Sequence, residues 1–154
     1  MKLLIVIPCY NHNKYLYSLI DEISNLYDLD ILCIDDGSDI PLKVDNTKYH
    51  LLCNKINRGK GHSILKASKY AISHQYTHIL VMDADLQHDP KDISKFININ
   101  ENYDIVYGNR NFLHTMPIHR LMSNFITSLI ISIICKKNIK DSQCGYRRYK
   151  INLF

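Results

Sequence analysis

The chain is 154 residues long, the size of one domain or of part of a larger one. Nineteen Lys and Arg against fifteen Asp and Glu leave a net charge of +4, short of what a phosphate-tracking nucleic-acid binder carries. Hydrophobic residues make up 46% and charged residues 22%, enough apolar surface to bury a core, and five Gly and four Pro exclude collagen-like or low-complexity structure. The five cysteines are odd in number, lack close pairing and mostly adjoin apolar runs, which excludes a disulfide framework and points to a reducing, cytoplasmic setting.

The first element expected is a strand at Leu3–Ile7, a continuous β-branched run of the kind buried on both faces. It is too short for a signal peptide and leads into polar Cys9–Asn13 instead of a small-residue cleavage site. Leu16, Leu19, Ile20, Ile23 and Leu26 then recur at helical spacing, predicting an amphipathic helix over 14–27. Strands are expected at Asp30–Ile34 and, more weakly, Tyr49–Cys53. A helix over Gly61–Ser73 and a strand at His78–Met82 follow. Asp89-Pro90 reads as an N-cap with proline at the first helical position, opening a helix to about Ile97. Asp104–Tyr107 is a further strand and 117–135 a long apolar-rich helix, while Ile139–Phe154 is ambiguous. No segment approaches the roughly 20 apolar residues that cross a bilayer, because Ser123, Asn124, Thr127, Ser128 and Ser132 interrupt the longest run. Strands alternating with helices predict an α/β fold with a largely parallel central sheet flanked by helices.

In such sheets ligands bind beyond the carboxyl ends of the strands. Those ends here read Pro8-Cys9-Tyr10-Asn11, Asp35-Asp36-Gly37-Ser38, Asp83-Ala84-Asp85-Leu86-Gln87-His88-Asp89 and Gly108-Asn109-Arg110, so carboxylates, an aromatic and an arginine converge on one edge. Asp83 and Asp85, two apart after a buried strand, offer hard oxygen ligands for Mg²⁺ or Mn²⁺, with the Gln87 carbonyl as a third. An EF-hand is excluded, since His88 and Ser94 stand where Gly and Glu are needed. Asp35-Asp36-Gly37-Ser38 is either a plain β-turn or an acceptor for a nucleoside. Tyr10 either stacks on a base or fills a loop. Asn57-Arg58-Gly59-Lys60-Gly61-His62 opens a helix with two glycines and two cations, as a phosphate site or as a flexible loop. There is no dinucleotide-binding glycine fingerprint and no P-loop. The scattered histidines make no zinc pattern with the cysteines and read mostly as surface residues.

These motifs, together with Asp141-Ser142-Gln143-Cys144-Gly145-Tyr146-Arg147, fall in an order that resembles family 2 glycosyltransferases of the GT-A fold, a Rossmann-like architecture. Within that family the pattern is similar to the dolichyl- and polyprenyl-phosphate sugar transferases, including dolichol-phosphate mannose synthase and dolichyl-phosphate glucosyltransferase. The likeness runs from Leu4 to about Tyr149. It implies a single glycosyltransferase domain over 1–154, with a nucleotide-sugar and metal half over about 1–90 and an acceptor-side half over about 91–154. It also implies a role for each matched position. Pro8, Tyr10, Asp35, Asp36, Lys60, Asp83 and Arg110 would bind a UDP- or GDP-sugar. Asp83, Asp85 and Gln87 would hold Mg²⁺ or Mn²⁺, Arg120 and Arg147 would meet an acceptor phosphate, and Asp85, Asp141 and Arg147 would be catalytic. His12 stands where the family often has Glu. Relatives usually continue past the last motif, so a C-terminal truncation is expected.

The implied reaction is inversion at the anomeric carbon by direct displacement, from a nucleotide sugar to a polyprenyl or dolichyl phosphate. A phosphate acceptor is already anionic and needs arginines more than a base; a saccharide hydroxyl would need a base, for which Asp141 is the candidate. A non-catalytic nucleotide-sugar-binding remnant is the alternative outside enzymes. A nucleotidyltransferase would want a glycine-rich signature after the first strand, and a phosphohydrolase would carry its Asp-X-Asp on that strand. The helix over Met116–Cys135, ending in Lys136-Lys137, suits either a bilayer interface or an ordinary core, so peripheral contact with the cytoplasmic membrane face is expected on the first view.

Overall fold

A computed structural model of the chain describes residues 1–11, 13–43, 48–85, 87–109 and 118–154, without side-chain detail at 13–14 and 118–121. The opening apolar run forms β1 (Leu3–Cys9), in which alternate residues supply two different cores. Leu3, Ile5 and Ile7 face a layer built with Leu16, Leu19, Ile20 and Ile23 of α1 (Asn13–Leu26). Leu4 and Val6 face the opposite layer, built with Ala67 and Ala71 of α2 (Lys60–Ser73). A strand covered on both faces has no use for polar residues, which is why the run is unbroken.

The sheet has six strands in the order β3-β2-β1-β4-β6-β5, with β2 at Asp30–Asp35, β3 at His50–Cys53, β4 at His78–Val81, β5 at Ile105–Tyr107 and β6 at Arg147–Lys150. The pairs β1–β2, β2–β3 and β1–β4 are parallel, whereas β6 runs antiparallel to both β4 and β5. The chain builds outward from β1 to β3, then returns to β4 on the other side. The gap beyond β1 and β4 is therefore the topological switch point, where doubly wound sheets bind ligands. Asp89 accepts from the Lys91 N–H at 2.9 Å and Pro90 follows, as expected of a cap, but the turn is 3₁₀ over Pro90–Asp92 before α3 begins (Ile93–Asn98).

β6 resolves the ambiguous C-terminal stretch, and its sequence, Arg-Arg-Tyr-Lys, explains why periodicity misses it. The position that faces the core is Arg148, fully buried. Its guanidinium donates to the carbonyls of Phe96 at 2.5 Å, Ile99 at 2.8 Å and Asn100 at 2.7 Å, satisfying the end of α3 that would otherwise lack partners.

The long helix α4 (Ile118–Cys135) departs from the core-helix alternative. Its buried positions are polar, Asn124 and Ser128, while Met122, Phe125, Ile126, Leu129, Ile130, Ile133 and Ile134 are exposed. None of its described apolar side chains joins either core layer. Among the described residues no helix is long and apolar enough to cross a membrane.

Candidate functional site

The ladder hydrogen bonds of the parallel strands run straight into the turns at their ends. Asp36 N donates to Cys9 O at 2.8 Å, Asn54 N to Asp35 O at 2.7 Å and Met82 N to Val6 O at 2.9 Å. Each bond sets the height at which the next side chain leaves the sheet. Pro8 lies within β1 opposite Ile34, and Tyr10, just beyond, is exposed. Asn11, at φ 56°, ties this loop to the next. Its N–H donates to Ser38 Oγ at 2.9 Å, and its side-chain amide exchanges bonds with Asp39.

The two adjacent aspartates have separate tasks. Asp35 is buried and accepts from Ser38 N at 2.9 Å and Leu42 N at 2.8 Å, so its carboxylate shapes the turn. Gly37 sits at φ 78° with Asn57 N only 2.7 Å from where a Cβ would stand, a close approach open to glycine alone. Asp36 faces the other way. It accepts from Asn54 Nδ2 at 2.6 Å, Arg58 N at 3.1 Å and Gly59 N at 2.7 Å, drawing the entry to α2 onto the edge of the site. Burial opposes its ionisation, but these donors and the Ser63 hydroxyl outweigh it and hold the carboxyl below the usual aspartate range.

Asp83, one residue past Met82, is paired with Lys60, the first residue of α2, and its other oxygen lies 3.6 Å from His88 Nε2. Burial pushes its pKa up, yet the hydrogen bond from His88 and the charge of Lys60 pull it to about 2, so the group is a carboxylate at any ordinary pH. Gly145 closes over this pair. A Cβ there would fall on the Asp83 carboxylate and 2.6 Å from Lys60 Nζ. Asp85 accepts from the Gln87 N–H at 3.1 Å, and Gln87 is exposed. Among the described residues no group of three His, Cys, Asp or Glu side chains gathers as a metal site. The donor set nonetheless suits a hard divalent ion. Asp83 stays ionised and already draws a cation, and Asp85 stands two residues on with a second carboxylate.

The acceptor-side motif is a loop held from both flanks. Asn124 Nδ2 of α4 donates to Asp141 Oδ1 at 2.9 Å, and the Ser142 N–H donates to Ser128 Oγ at 2.9 Å. Ser132 binds the backbone of Ile139. Of the polar residues that interrupt the apolar run of α4, Asn124, Ser128 and Ser132 thus form its inward face. From the sheet side, Arg147 donates through Nε to Cys144 O at 2.7 Å and through Nη2 to Ser142 O at 2.6 Å, and lies 5.0 Å over the Tyr107 ring. Asp141 is buried. Arg110 lies outside the described residues, and so does the side chain of Arg120.

The structure therefore brings Asp36, Lys60, Asp83 and the 141–147 loop to one edge. One member was not expected. His88 follows the Asp-X-Asp-X-Gln run directly and is buried against Tyr146, 4.9 Å between ring centres, in contrast to a surface histidine. Gly145 belongs to the 141–147 motif and sits between Cys144 and Tyr146, both buried.

Residues 4–145 match the family model described as glycosyl transferase family 2. An uncharacterized protein of Methanocaldococcus jannaschii is 34% identical across 94% of this chain and 70% of its own length. The undecaprenyl-phosphate 4-deoxy-4-formamido-L-arabinose transferase of Yersinia pestis is 28% identical over 97% of the chain and 49% of itself. The undecaprenyl-phosphate mannosyltransferase of Micrococcus luteus is 24% identical over 97% and 67%. The chain thus spans between about half and 70% of the length of these curated relatives. Glucosyl-3-phosphoglycerate synthase of Mycobacterium tuberculosis, solved with phosphoglyceric acid, superposes with a TM-score of 0.71 at 15% identity, over 99% of this chain and 57% of that one; the two share a fold. A mostly parallel sheet that meets its motifs at the switch point, and a family match spanning all but the chain's ends, agree: this chain belongs to glycosyl transferase family 2.

Proposed function

We propose that the chain transfers a sugar, with inversion, from a UDP- or GDP-linked donor to a polyprenyl phosphate, with Mg²⁺ or Mn²⁺ held by Asp83, Asp85 and Gln87. The observation that carries this is the ionised Asp83 at the switch point, within reach of a lysine on one side and roofed by the acceptor-side loop at Gly145 on the other. A bound divalent ion would neutralise the charge developing on the departing diphosphate. Tyr10 offers an exposed face for a base, and Asp36, ionised and aimed at the α2 entry, bounds the nucleoside end. Arg110, Arg120 and the remaining N–H groups of Arg147 supply cations for the acceptor phosphate.

A phosphate acceptor needs no proton removed before it attacks, so orientation matters more than basicity. The burial of Asp141 and its bond to Asn124 favour this over a hydroxyl acceptor, because a base has to reach its substrate. In this scheme Asp141 positions the loop. The exposed apolar face of α4, followed by Lys136 and Lys137, supports a peripheral seat on an anionic membrane, where a lipid-phosphate acceptor resides.

Calorimetric titration of UDP- and GDP-sugars with Mn²⁺ and with EDTA, paired with transfer of labelled sugar to a short polyprenyl phosphate, tests the proposal. One donor is expected to bind at least tenfold more tightly with Mn²⁺, and Asp85→Ala to remove that difference. Equal affinity in EDTA overturns the metal assignment. Binding without transfer, under every acceptor supplied, favours the remnant.

A further inference from the structure

Lys60 and a divalent ion compete for one carboxylate. Lys60 Nζ sits on one Asp83 oxygen, His88 Nε2 lies 3.6 Å from the other, and Gly145 closes the remaining approach. An ion arriving alone therefore meets an ammonium where it needs an open oxygen. A nucleoside diphosphate arriving alone meets the Asp83 carboxylate, which repels it. Lys60 is also placed to move. It is the first residue of α2, its side chain is 42% exposed, and the helix start at Gly59 has no side-chain cap. A lysine at an uncapped helix N-terminus is a natural anchor for phosphate oxygens.

We propose that Lys60 is a resident cation on Asp83 that a nucleoside diphosphate draws away, so that metal and nucleotide each bind more tightly in the presence of the other. This rests on the donor site proposed above and adds an order to it. With both ligands present, the diphosphate takes the ammonium, Asp83 is freed for the ion, and neither like-charge contact remains. Because coupling between two ligands is reciprocal, either one can report it.

The test is Mn²⁺ binding to the full chain, followed by the free-ion electron paramagnetic resonance signal and by calorimetry. It is run without nucleotide, with UDP and with GDP. Wild type is expected to bind Mn²⁺ at least tenfold more tightly once one nucleotide saturates it, within the usual range of coupling. Lys60→Met should bind Mn²⁺ alone about tenfold more tightly than wild type and lose most of the coupling, while Lys60→Arg should keep it. Lys60→Gln repeats the measurement should the Met variant fail to melt cooperatively. Unchanged Mn²⁺ affinity in Lys60→Met without nucleotide, or unchanged coupling, overturns the resident-cation role and leaves the metal site standing. No Mn²⁺ binding by any of these chains, with or without nucleotide, overturns both.

Discussion

Asp35 and Asp36 are neighbours in sequence and opposites in use. One carboxylate is consumed by two N–H groups of its own turn; the other reaches across to Asn54 and the start of α2. Both are buried, and the three donors on the second hold its folded pKa below the ordinary value. A lowered carboxylate pKa stabilises the fold above the unfolded value, near pH 4, and that contribution is lost as pH falls through the lower folded value. Asp36→Asn should therefore cost about 1–3 kcal/mol at pH 7, the usual penalty for weakening buried hydrogen bonds. Below pH 4 the gap between variant and wild type should narrow. Urea denaturation at a series of pH values from 7 to 3 measures both; a gap that stays constant throughout contradicts the ionised role.

At the scale of elements, α4 inverts the usual order of an amphipathic helix. Asn124 and Ser128 turn inward to hold the 141–142 turn, and most of its aliphatic residues turn to solvent. A patch this apolar is a docking surface in most proteins. On the proposed peripheral seat, the two lysines after it would favour an anionic lipid surface, each worth roughly 1 kcal/mol near such a membrane. The chain should co-sediment with vesicles containing a third phosphatidylglycerol. Lys136→Glu with Lys137→Glu should release it, as should raised salt. Retention in the supernatant together with a dimer in sedimentation velocity would assign the same face to a second copy of the chain.

For the whole molecule, the late strand β6 is the joint. It lies between β4 and β5 and bonds to both, and Arg148 carries the end of α3. A chain ending at Tyr146 would leave the β4 edge bare, detach β5 and strand three carbonyls. It is expected to lose the cooperative thermal transition seen by circular dichroism and to bind a hydrophobic dye. A melting midpoint within a few degrees of the intact chain would show that the five-stranded remainder folds alone.

The β-branched run of β1, the helical spacing of α1 and α2, the Asp89-Pro90 start and the turns that end the strands were legible in the sequence, because each is a local pattern matched to a local geometry. With them came the α/β class and the convergence of acidic turns on one edge. Three features were not legible. β6 presents arginine to the core, and only the carbonyls of α3, about fifty residues earlier, make that burial tolerable. The side of α4 that packs is decided by Asp141 and Ser142, which draw the Asn124 amide and the Ser128 hydroxyl inward at the expense of aliphatic contact. The Asp83 site is completed by Lys60, His88 and Gly145, from three different segments. Periodicity records what a residue's own element needs. Partners distant along the chain are set by the order in which strands pair, and that order is a property of the folded sheet.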